Sequence, residues 1–266
     1  MSYSEEDIDI EIRPKKRPQN IEPAAVPAFE EPARDLQLIK EIDAFAEELA
    51  ETRAKELEND NQIMSHDMLK AKLKEEYKEL FLMKELKKEL DDAVALLKEE
   101  MHHYLEPDAC ERLVSEFKQA AIELKKPLDE ENKDKTPQEI GKISQETMNS
   151  IENVAKKKHE EKDYGSSTLL YIFLSAINPR SFVYWLRLGV SYQKQKEYKK
   201  ALFAYENAKR CNNASIVNNL FIAECQYYLG EKEKALDALN TAKELASEQT
   251  PGDNEMNYIA SLEKLL

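Results

Sequence analysis

Residues 182–192 read Phe-Val-Tyr-Trp-Leu-Arg-Leu-Gly-Val-Ser-Tyr, and residues 198–208 read Tyr-Lys-Lys-Ala-Leu-Phe-Ala-Tyr-Glu-Asn-Ala. In both segments large apolar residues recur three and four positions apart, which is the spacing of one face of an α-helix. The small residues Gly189, Ala201 and Ala208 let two such helices approach closely. The stretch therefore predicts a helical hairpin that leaves apolar side chains for a further layer of helices to cover.

The same pattern recurs thirty-four positions away on both sides of this hairpin. Ala201 falls on Ala235 towards the C-terminus, and Tyr205 falls on Tyr171 towards the N-terminus. The period is typical of the tetratricopeptide repeat, in which each repeat covers the apolar face of the next. The matching positions of the central copy are Trp185, Leu188, Gly189, Tyr192, Ala201, Tyr205 and Ala208. We therefore predict an all-α fold with three such helix-turn-helix repeats and a capping helix over about 254–266.

Composition divides the chain near residue 135. Residues 1–135 hold 36 acidic and 22 basic residues, whereas residues 136–266 hold 17 of each, so the net charge of −14 belongs to the first part. Spaced prolines and few large apolar residues over positions 1–34 are typical of a disordered segment. The predicted domains are a disordered acidic arm (1–34), a helical coiled-coil-like region (35–127), a charged linker (128–136) and the repeat domain (137–266).

The coiled-coil-like region carries an apolar stripe that needs a partner. The stripe lies in a helix predicted from about 63 to 105 and contains residues seven apart, namely Met83, Leu90, Leu97 and Tyr104. Pro107 ends this helix, and a shorter helix follows up to Pro127. The partner is another helix of the same region, the repeat domain or a second chain. We favour the helical hairpin, because so long a stripe rarely stays exposed.

The sequence carries no signature of catalysis or of metal binding. Gly141 is the first glycine of the chain and the later glycines stand alone, so a glycine-rich phosphate-binding loop is excluded. The three cysteines, Cys110, Cys211 and Cys225, are too few and too scattered for a disulfide framework or a zinc site. We expect the protein to occur in a reducing compartment. We also expect that it is not an enzyme and that it binds neither a cofactor nor a metal ion.

Charge and hydropathy exclude two further classes of partner. A net charge of −14 argues against a nucleic-acid or anionic-membrane surface, where a positive face supplies most of the affinity. No segment approaches the roughly 18 apolar residues that a membrane-spanning helix needs. The sequence therefore predicts a soluble protein without nucleic-acid binding or stable membrane insertion.

In this fold the first helix of each repeat lines a concave surface, which we call the inner face. Its apolar members in the second and third repeats are Val183, Leu186, Val190, Val217, Leu220, Phe221, Tyr227 and Tyr228. Its polar members are Asn149, Glu152, Asn153, Lys156, His159, Glu160, Arg187, Gln193, Lys194 and Glu224. The apolar members are either a groove that binds an extended apolar peptide or a surface that a flanking or capping helix covers. The sequence leaves both alternatives open.

The inner face does not match the tetratricopeptide clamp that binds the acidic C-termini of heat-shock chaperones. That clamp needs lysines and asparagines at fixed inner positions, where this chain has Glu152, Leu186 and Leu220 in one register. Of the residues in the other register only Lys156 could serve. We therefore expect no clamp of that kind.

Residues 136–247 contain a series of segments in a fixed order, namely the lead-in run Thr136–Ile151, Tyr164, Pro179, Trp185–Gly189, Tyr198–Ala201, Ala223–Cys225 and Gly230–Glu231. This series resembles the class II chaperones of bacterial type III secretion, which hold hydrophobic translocator proteins before export. The resemblance implies an all-helical chaperone of the bacterial cytoplasm, often a homodimer, that takes an extended apolar cargo segment into the inner face. This chain departs from the family at Glu152 and His159, where aromatic residues are usual, and in its additional residues 1–135.

Two functional hypotheses follow from the sequence. The first is a type III secretion chaperone that binds a hydrophobic secreted translocator or effector through the eight apolar residues of the inner face. The second is a non-enzymatic scaffold whose coiled-coil-like helices bind a partner in a secretion-associated complex, while the repeats merely dock.

Overall fold

The computed structural model describes residues 66–126, 132 and 134–266, and the regular structure of these residues is helical. The helices are α1 (His66–Glu100), α2 (Pro107–Glu123), α3 (Pro137–Gly141), α4 (Gln145–Glu160), α5 (Tyr164–Ile177), α6 (Phe182–Lys194), α7 (Tyr198–Cys211), α8 (Ile216–Tyr228), α9 (Lys232–Glu248) and α10 (Asp253–Leu265). A 3₁₀ turn, Met101–His103, follows α1. Residues 92–266 lie in one compact unit, and residues 66–91 lie in another. The predicted all-α fold is confirmed.

The helices before the repeats begin and end close to the predicted positions. The helix expected over about 63–105 is α1 with its 3₁₀ turn. Pro107 is the first residue of α2, because proline fits the first helical turn, where its missing N–H costs nothing. The predicted arm, the start of the coiled-coil-like region and most of the linker lie outside the described residues, so the domain boundaries there stay predictions.

Three helix pairs form the repeats, namely α4 with α5, α6 with α7 and α8 with α9. The second helices begin at Tyr164, Tyr198 and Lys232, so each step equals the period of the sequence pattern. The first helices of the second and third repeats, α6 and α8, begin at Phe182 and Ile216 and keep the same period. Helix α10 packs on α8 and α9, as a capping helix does. The predicted repeats and capping helix are confirmed.

In each repeat, the connection between the two helices has a residue in the left-handed backbone conformation at the same position. Lys162, Lys196 and Gly230 have φ angles of 67°, 67° and 80°, and they too are spaced by the repeat period. In the second repeat the N–H of Glu197 donates to the carbonyl of Tyr192 at 3.0 Å, five residues back. This bond is the mark of a Schellman motif, whose left-handed position favours glycine. The first two repeats therefore place lysine where only the third has the favoured residue.

We expect Lys196→Gly to raise the free energy of unfolding by about 0.5–1 kcal/mol, because a non-glycine residue in the left-handed region costs about 1 kcal/mol or more. The matched reverse change, Gly230→Lys, should lower it by a similar amount. Urea denaturation of both variants and the wild type checks the pair. A destabilised Lys196→Gly variant would contradict this account of the turn.

The end of α1 and the following turn are fastened to the first repeat. Lys158, whose side chain is 7% exposed, forms ion pairs with Glu100 and with Asp163, the latter at 3.5 Å. Its ammonium lies 5.4 Å from the centre of the Tyr104 ring, and the Tyr104 hydroxyl donates to Glu161 at 2.8 Å. Leu97 of the predicted stripe is also buried in this unit. This part of the stripe therefore packs within the unit that contains the repeats.

Helix α2 is joined to the first repeat by a partly buried polar contact. Glu116 accepts hydrogen bonds from the backbone N–H and the hydroxyl of Ser144, at 2.8 and 3.0 Å. Ser144 is the residue that caps the start of α4, and its hydroxyl accepts from the N–H of Thr147 at 3.1 Å. Burial opposes the effect of these bonds, but together they hold the pKa of Glu116 below its ordinary value. Helix α2 therefore fixes the point at which the repeats begin.

Candidate functional site on the inner face

The eight apolar residues predicted to line the inner face divide into two groups. Five of them are at most 8% exposed and belong to the core, namely Leu186, Val190, Val217, Leu220 and Phe221. Val183 and Tyr227 are partly exposed, and Tyr228 is 50% exposed. The structure thus places five of these side chains beneath the surface and leaves Val183, Tyr227 and Tyr228 in contact with solvent.

Phe221 shows what covers the buried group. Its ring stacks on Tyr205 of α7, with centroids 5.3 Å apart, and meets the edge of Tyr258 of α10 at 5.9 Å. Tyr258 is itself buried. The capping helix therefore covers this residue, which is the second of the two alternatives that the sequence left open.

A cluster of three tyrosines lies where the second repeat meets the third. The rings of Tyr198 and Tyr228 stack with centroids 4.7 Å apart and planes 15° apart. Tyr227 meets Tyr228 edge to face at 5.5 Å. Burial raises the pKa of Tyr198 to about 12, so its hydroxyl stays neutral at any physiological pH. We call Tyr198, Tyr227 and Tyr228 the tyrosine cluster.

Tyr198 is not among the site residues that the sequence predicts. It is the first residue of α7, a second helix, and second helices were not expected to contribute to the inner face. The only signal was its recurrence at Tyr164, which marks a repeat position rather than a surface. Its contact with Tyr228 depends on how the second repeat stacks on the third, and that is a tertiary feature.

A chain of hydrogen bonds fixes the polar side chains between the second and third repeats. The Tyr205 hydroxyl donates to Oε1 of Gln193 at 2.6 Å, and Nε2 of Gln193 donates to Oε2 of Glu224 at 2.7 Å. The Tyr258 hydroxyl donates to the same oxygen of Glu224. Four helices, α6, α7, α8 and α10, are joined by these bonds. Gln193 and Glu224 are therefore held in place on the inner face and not free to rearrange around a ligand.

His159 lies where the first repeat meets the second. Its Nδ1 is 3.4 Å from the hydroxyl of the buried Ser191, and its ring meets the edge of Tyr164 at 5.0 Å. Burial, reinforced by the positive charges of Lys194 and Arg187, lowers the pKa of His159 to about 4. The imidazole is thus neutral at pH 7 and acts as a packing group at this junction.

We expect the free energy of unfolding to fall as the pH drops from about 6.5 towards 4, because the unfolded chain takes up a proton on His159 in this range and the folded chain does not. His159→Gln should remove part of this decline, whereas the same change at the exposed His103 should leave it as in the wild type. Urea denaturation at pH 7 and pH 5 measures it. An equal decline in the wild type and in His159→Gln would contradict the assignment.

The structure also shows the cysteines and the side chains that could bind a metal ion. Cys110 and Cys225 are buried, Cys211 is exposed, and burial raises the pKa of the Cys225 thiol. No group of three or more His, Cys, Asp and Glu side chains that could hold a metal ion occurs among the residues that the structure describes. No helix in the described part of the chain combines the length and the apolar character that crossing a membrane requires.

Comparison with known proteins finds similarity among solved structures. No protein-family model and no curated protein matches the chain. The type III secretion translocator chaperone SycD of Yersinia enterocolitica is 19% identical over 49% of this chain and 98% of its own, with a TM-score of 0.47. A CopN–Scc3 complex is 22% identical over 58% of this chain and 96% of the matched one, with a TM-score of 0.46. PcrH of Pseudomonas aeruginosa is 20% identical over 46% and 94%, with a TM-score of 0.44.

These neighbours include translocator chaperones of type III secretion, the class that the sequence resembles. SycD has been crystallised with a peptide of the translocator YopD, and PcrH with the chaperone binding regions of PopB and PopD. At identities near 20% the likeness concerns the fold.

Proposed function

We propose that this chain is a chaperone of bacterial type III secretion, which binds an apolar segment of a secreted translocator or effector on its inner face. The protein would act in the cytoplasm, without catalysis and without a cofactor. The proposal assigns to this chain the kind of activity that is recorded for SycD and PcrH. It extends to a homodimer, the state that the sequence resemblance implies.

The observation that carries the proposal is the tyrosine cluster. Tyr228 is 50% exposed although its ring is fixed by stacking on Tyr198, so a large apolar surface is presented to solvent in one orientation. Aromatic side chains bury about 150–250 Å² each, so covering the exposed half of one ring contributes about 2 kcal/mol. A fixed ring also loses little conformational entropy when a ligand binds. The cluster therefore has the properties of a binding anchor.

The buried residues of the inner face support this anchor rather than compete with it. Leu186, Leu220 and Phe221 lie in the same core cluster as the capping helix. Because they are packed, the surface above them does not collapse when the ligand is absent. We propose that a ligand contacts Val183, Tyr227 and Tyr228 directly, and that Leu186, Val190, Val217, Leu220 and Phe221 support this surface from within the core.

A second candidate function rests on a separate surface. The end of α1, helix α2 and helix α5 enclose an apolar cleft of about 460 Å³, whose lining includes Val94, Phe117, Leu124 and Phe173. Leu124 is 42% exposed. This cleft favours the scaffold alternative, in which the helices before the repeats bind the partner.

Co-purification from a native lysate separates the two functions. The groove variant is Tyr228→Glu, the cleft variant is Leu124→Glu, and Phe203→Glu is the control, because Phe203 is 63% exposed on α7 and belongs to neither surface. Changes at Leu186 or Phe221 are unsuitable, since both side chains are buried and a charge there would unfold the domain. All variants are compared with the wild type by circular dichroism first.

The expected result is that Tyr228→Glu loses a hydrophobic secreted protein that the wild type, the control and the cleft variant all retain. Loss of the partner from Leu124→Glu, with retention by Tyr228→Glu, would contradict the groove and favour the scaffold.

A further inference from the structure

Two positive side chains stand on the part of α6 that faces the end of α4. Arg187, Ser191 and Lys194 are separated by four and three positions, so they lie on one face of the helix. The hydroxyl of Ser191 is 3.4 Å from Nδ1 of His159, which places this face against the last turn of α4. Arg187 and Lys194 therefore flank the junction between the first and second repeats on the inner face.

Neither cation has a partner among the described residues. The Nε–H of Arg187 is buried without a hydrogen-bond acceptor, and Lys194 is exposed. Of the acidic residues on the facing helix, Glu152 is paired with Lys156 at 2.8 Å and Glu160 is paired with Lys157 at 2.8 Å. These two carboxylates of α4 are thus already taken by lysines of their own helix.

A third unpaired polar group lies beside Arg187. Tyr171 is 1% exposed and its hydroxyl has no hydrogen-bond partner. Burial raises the pKa of Tyr171, the positive charge of Arg187 opposes that rise, and the negative charge of Glu152 adds to it, so both charged groups act on this hydroxyl. One repeat later the equivalent Tyr205 donates to Gln193. At the junction between the first two repeats the hydroxyl of Tyr171 and the Nε–H of Arg187 therefore lack acceptors, whereas the equivalent tyrosine of the next repeat has one.

A buried donor without an acceptor is destabilising, and more so when the group is charged. An arginine fork matches a carboxylate in shape, and bonds between them are about twice as strong as neutral ones. An aspartate or glutamate of a bound segment would supply the missing acceptor to Arg187 and a counter-charge to Lys194. An apolar segment without an acid would leave both cations unpaired beneath it.

We infer that Arg187 and Lys194 bind a carboxylate side chain of the cargo segment, so that the inner face selects apolar segments carrying an acidic residue. This inference rests on the proposed function and names the chemistry of its ligand. The tyrosine cluster then holds an apolar anchor at one end of the inner face, and the cations set the register at the junction of the first two repeats. The inference assigns the carboxylate to the partner, and a carboxylate from the acidic N-terminal part of this chain is an outcome that the test distinguishes.

The test uses a random library of dodecapeptides displayed on phage, selected against the full-length chain. One variant combines Arg187→Gln with Lys194→Gln, and the other is Lys194→Gln alone. Because Lys194 is exposed, the single change should not affect folding. The control, Lys232→Gln with Lys264→Gln, removes the same charge from exposed positions of α9 and α10. Peptides selected by the wild type should share Asp or Glu at a fixed distance from an apolar residue, and those selected by the double variant should not.

The affinity of one selected peptide and of its Glu→Gln (or Asp→Asn) version is then measured by fluorescence anisotropy. The wild type and the control should bind the neutral version at least about tenfold more weakly, because a hydrogen bond to a charged group is about twice as strong as a neutral one. The double variant should bind both versions alike, and Lys194→Gln should show an intermediate ratio.

Three outcomes would overturn the inference, and they differ in what they leave standing. Selected peptides that need Tyr228 but show no acidic preference would remove the inference and leave the proposed function intact. Selected peptides that bind Tyr228→Glu as well as the wild type would remove the proposed function too. A zero-length carbodiimide cross-link from Lys194 to an acidic residue of 1–65 in the free chain would assign the carboxylate to this chain itself.

Discussion

Gly189→Ala should lower the free energy of unfolding by about 2 kcal/mol, within the range of about 1–3 kcal/mol found for overpacked cores. A Cβ atom at this position would lie 2.3 Å from the ring of Tyr205, far inside van der Waals contact. The ring cannot easily move, because Tyr205 is fully buried, stacks on Phe221 and donates to Gln193 at 2.6 Å. Alanine would therefore either strain the core or break that hydrogen bond.

The first repeat supports this interpretation. It has Ala155 at the position of Gly189 and Tyr171 at the position of Tyr205, and the Tyr171 hydroxyl has no partner. In the second repeat the missing side chain of Gly189 lets the ring come close enough to hold Gln193. Glycine is thus required at this position by the close approach of Tyr205, whereas its own φ angle is ordinary.

The matched control is Gly165→Ala, at an exposed position of α5 where the nearest atom to a new Cβ is 3.9 Å away. Alanine there should stabilise by a few tenths of a kcal/mol, since glycine is the poorer helix former by up to about 1 kcal/mol. Urea denaturation of both variants gives the comparison. Equal stability of Gly189→Ala and the wild type would show that Tyr205 can shift without cost.

Lys158→Ala should lower the free energy of unfolding by about 2–3 kcal/mol and expose the segment before the repeats to proteases. Removing one partner of a buried ion pair costs about 3–5 kcal/mol, and the smaller value is expected because the Glu100 side chain keeps 28% of its surface in water. The hydrogen bond to Glu100 raises the pKa of Lys158, so the lysine is charged across the physiological range. The change also removes the ammonium from the Tyr104 ring.

Lys157→Ala is the control, because the neighbouring lysine makes an exposed pair with Glu160 at 2.8 Å. Exposed pairs contribute little to stability, so this variant should unfold close to the wild type. Denaturation curves and limited trypsin digestion, followed by mass spectrometry of the fragments, provide both readouts. If Lys157→Ala and Lys158→Ala behave alike, the end of α1 is not held to the first repeat in the way described.

The repeats could be predicted from the sequence because they depend on local spacing. Small residues recur with a fixed period, and the helix starts at Tyr164, Tyr198 and Lys232 keep that period in the structure. The capping helix could be predicted for the same reason, since its apolar residues follow a helical rhythm. Helix formation and the close packing of the two helices in a repeat both depend on residues that are near each other in the chain.

Which inner-face residues are exposed could not be predicted, because exposure depends on neighbours distant in the sequence. Phe221 has the register of an inner-face residue, yet Tyr258, thirty-seven positions later, lies against it. Tyr198 was not expected on this surface, and it supports Tyr228 only because two repeats meet there. The unpaired Arg187 likewise became visible only when the pairs of Glu152 and Glu160 were known.

Site-specific photo-cross-linking tests the central claim that the inner face holds the cargo. A benzophenone amino acid replaces Tyr228 in one version of the full chain and Phe203 in another, and each is irradiated in cells in which the secretion system is expressed. The account predicts that position 228 captures a hydrophobic secreted protein and that position 203 does not. Capture of that protein from position 203, with none from position 228, would contradict the account.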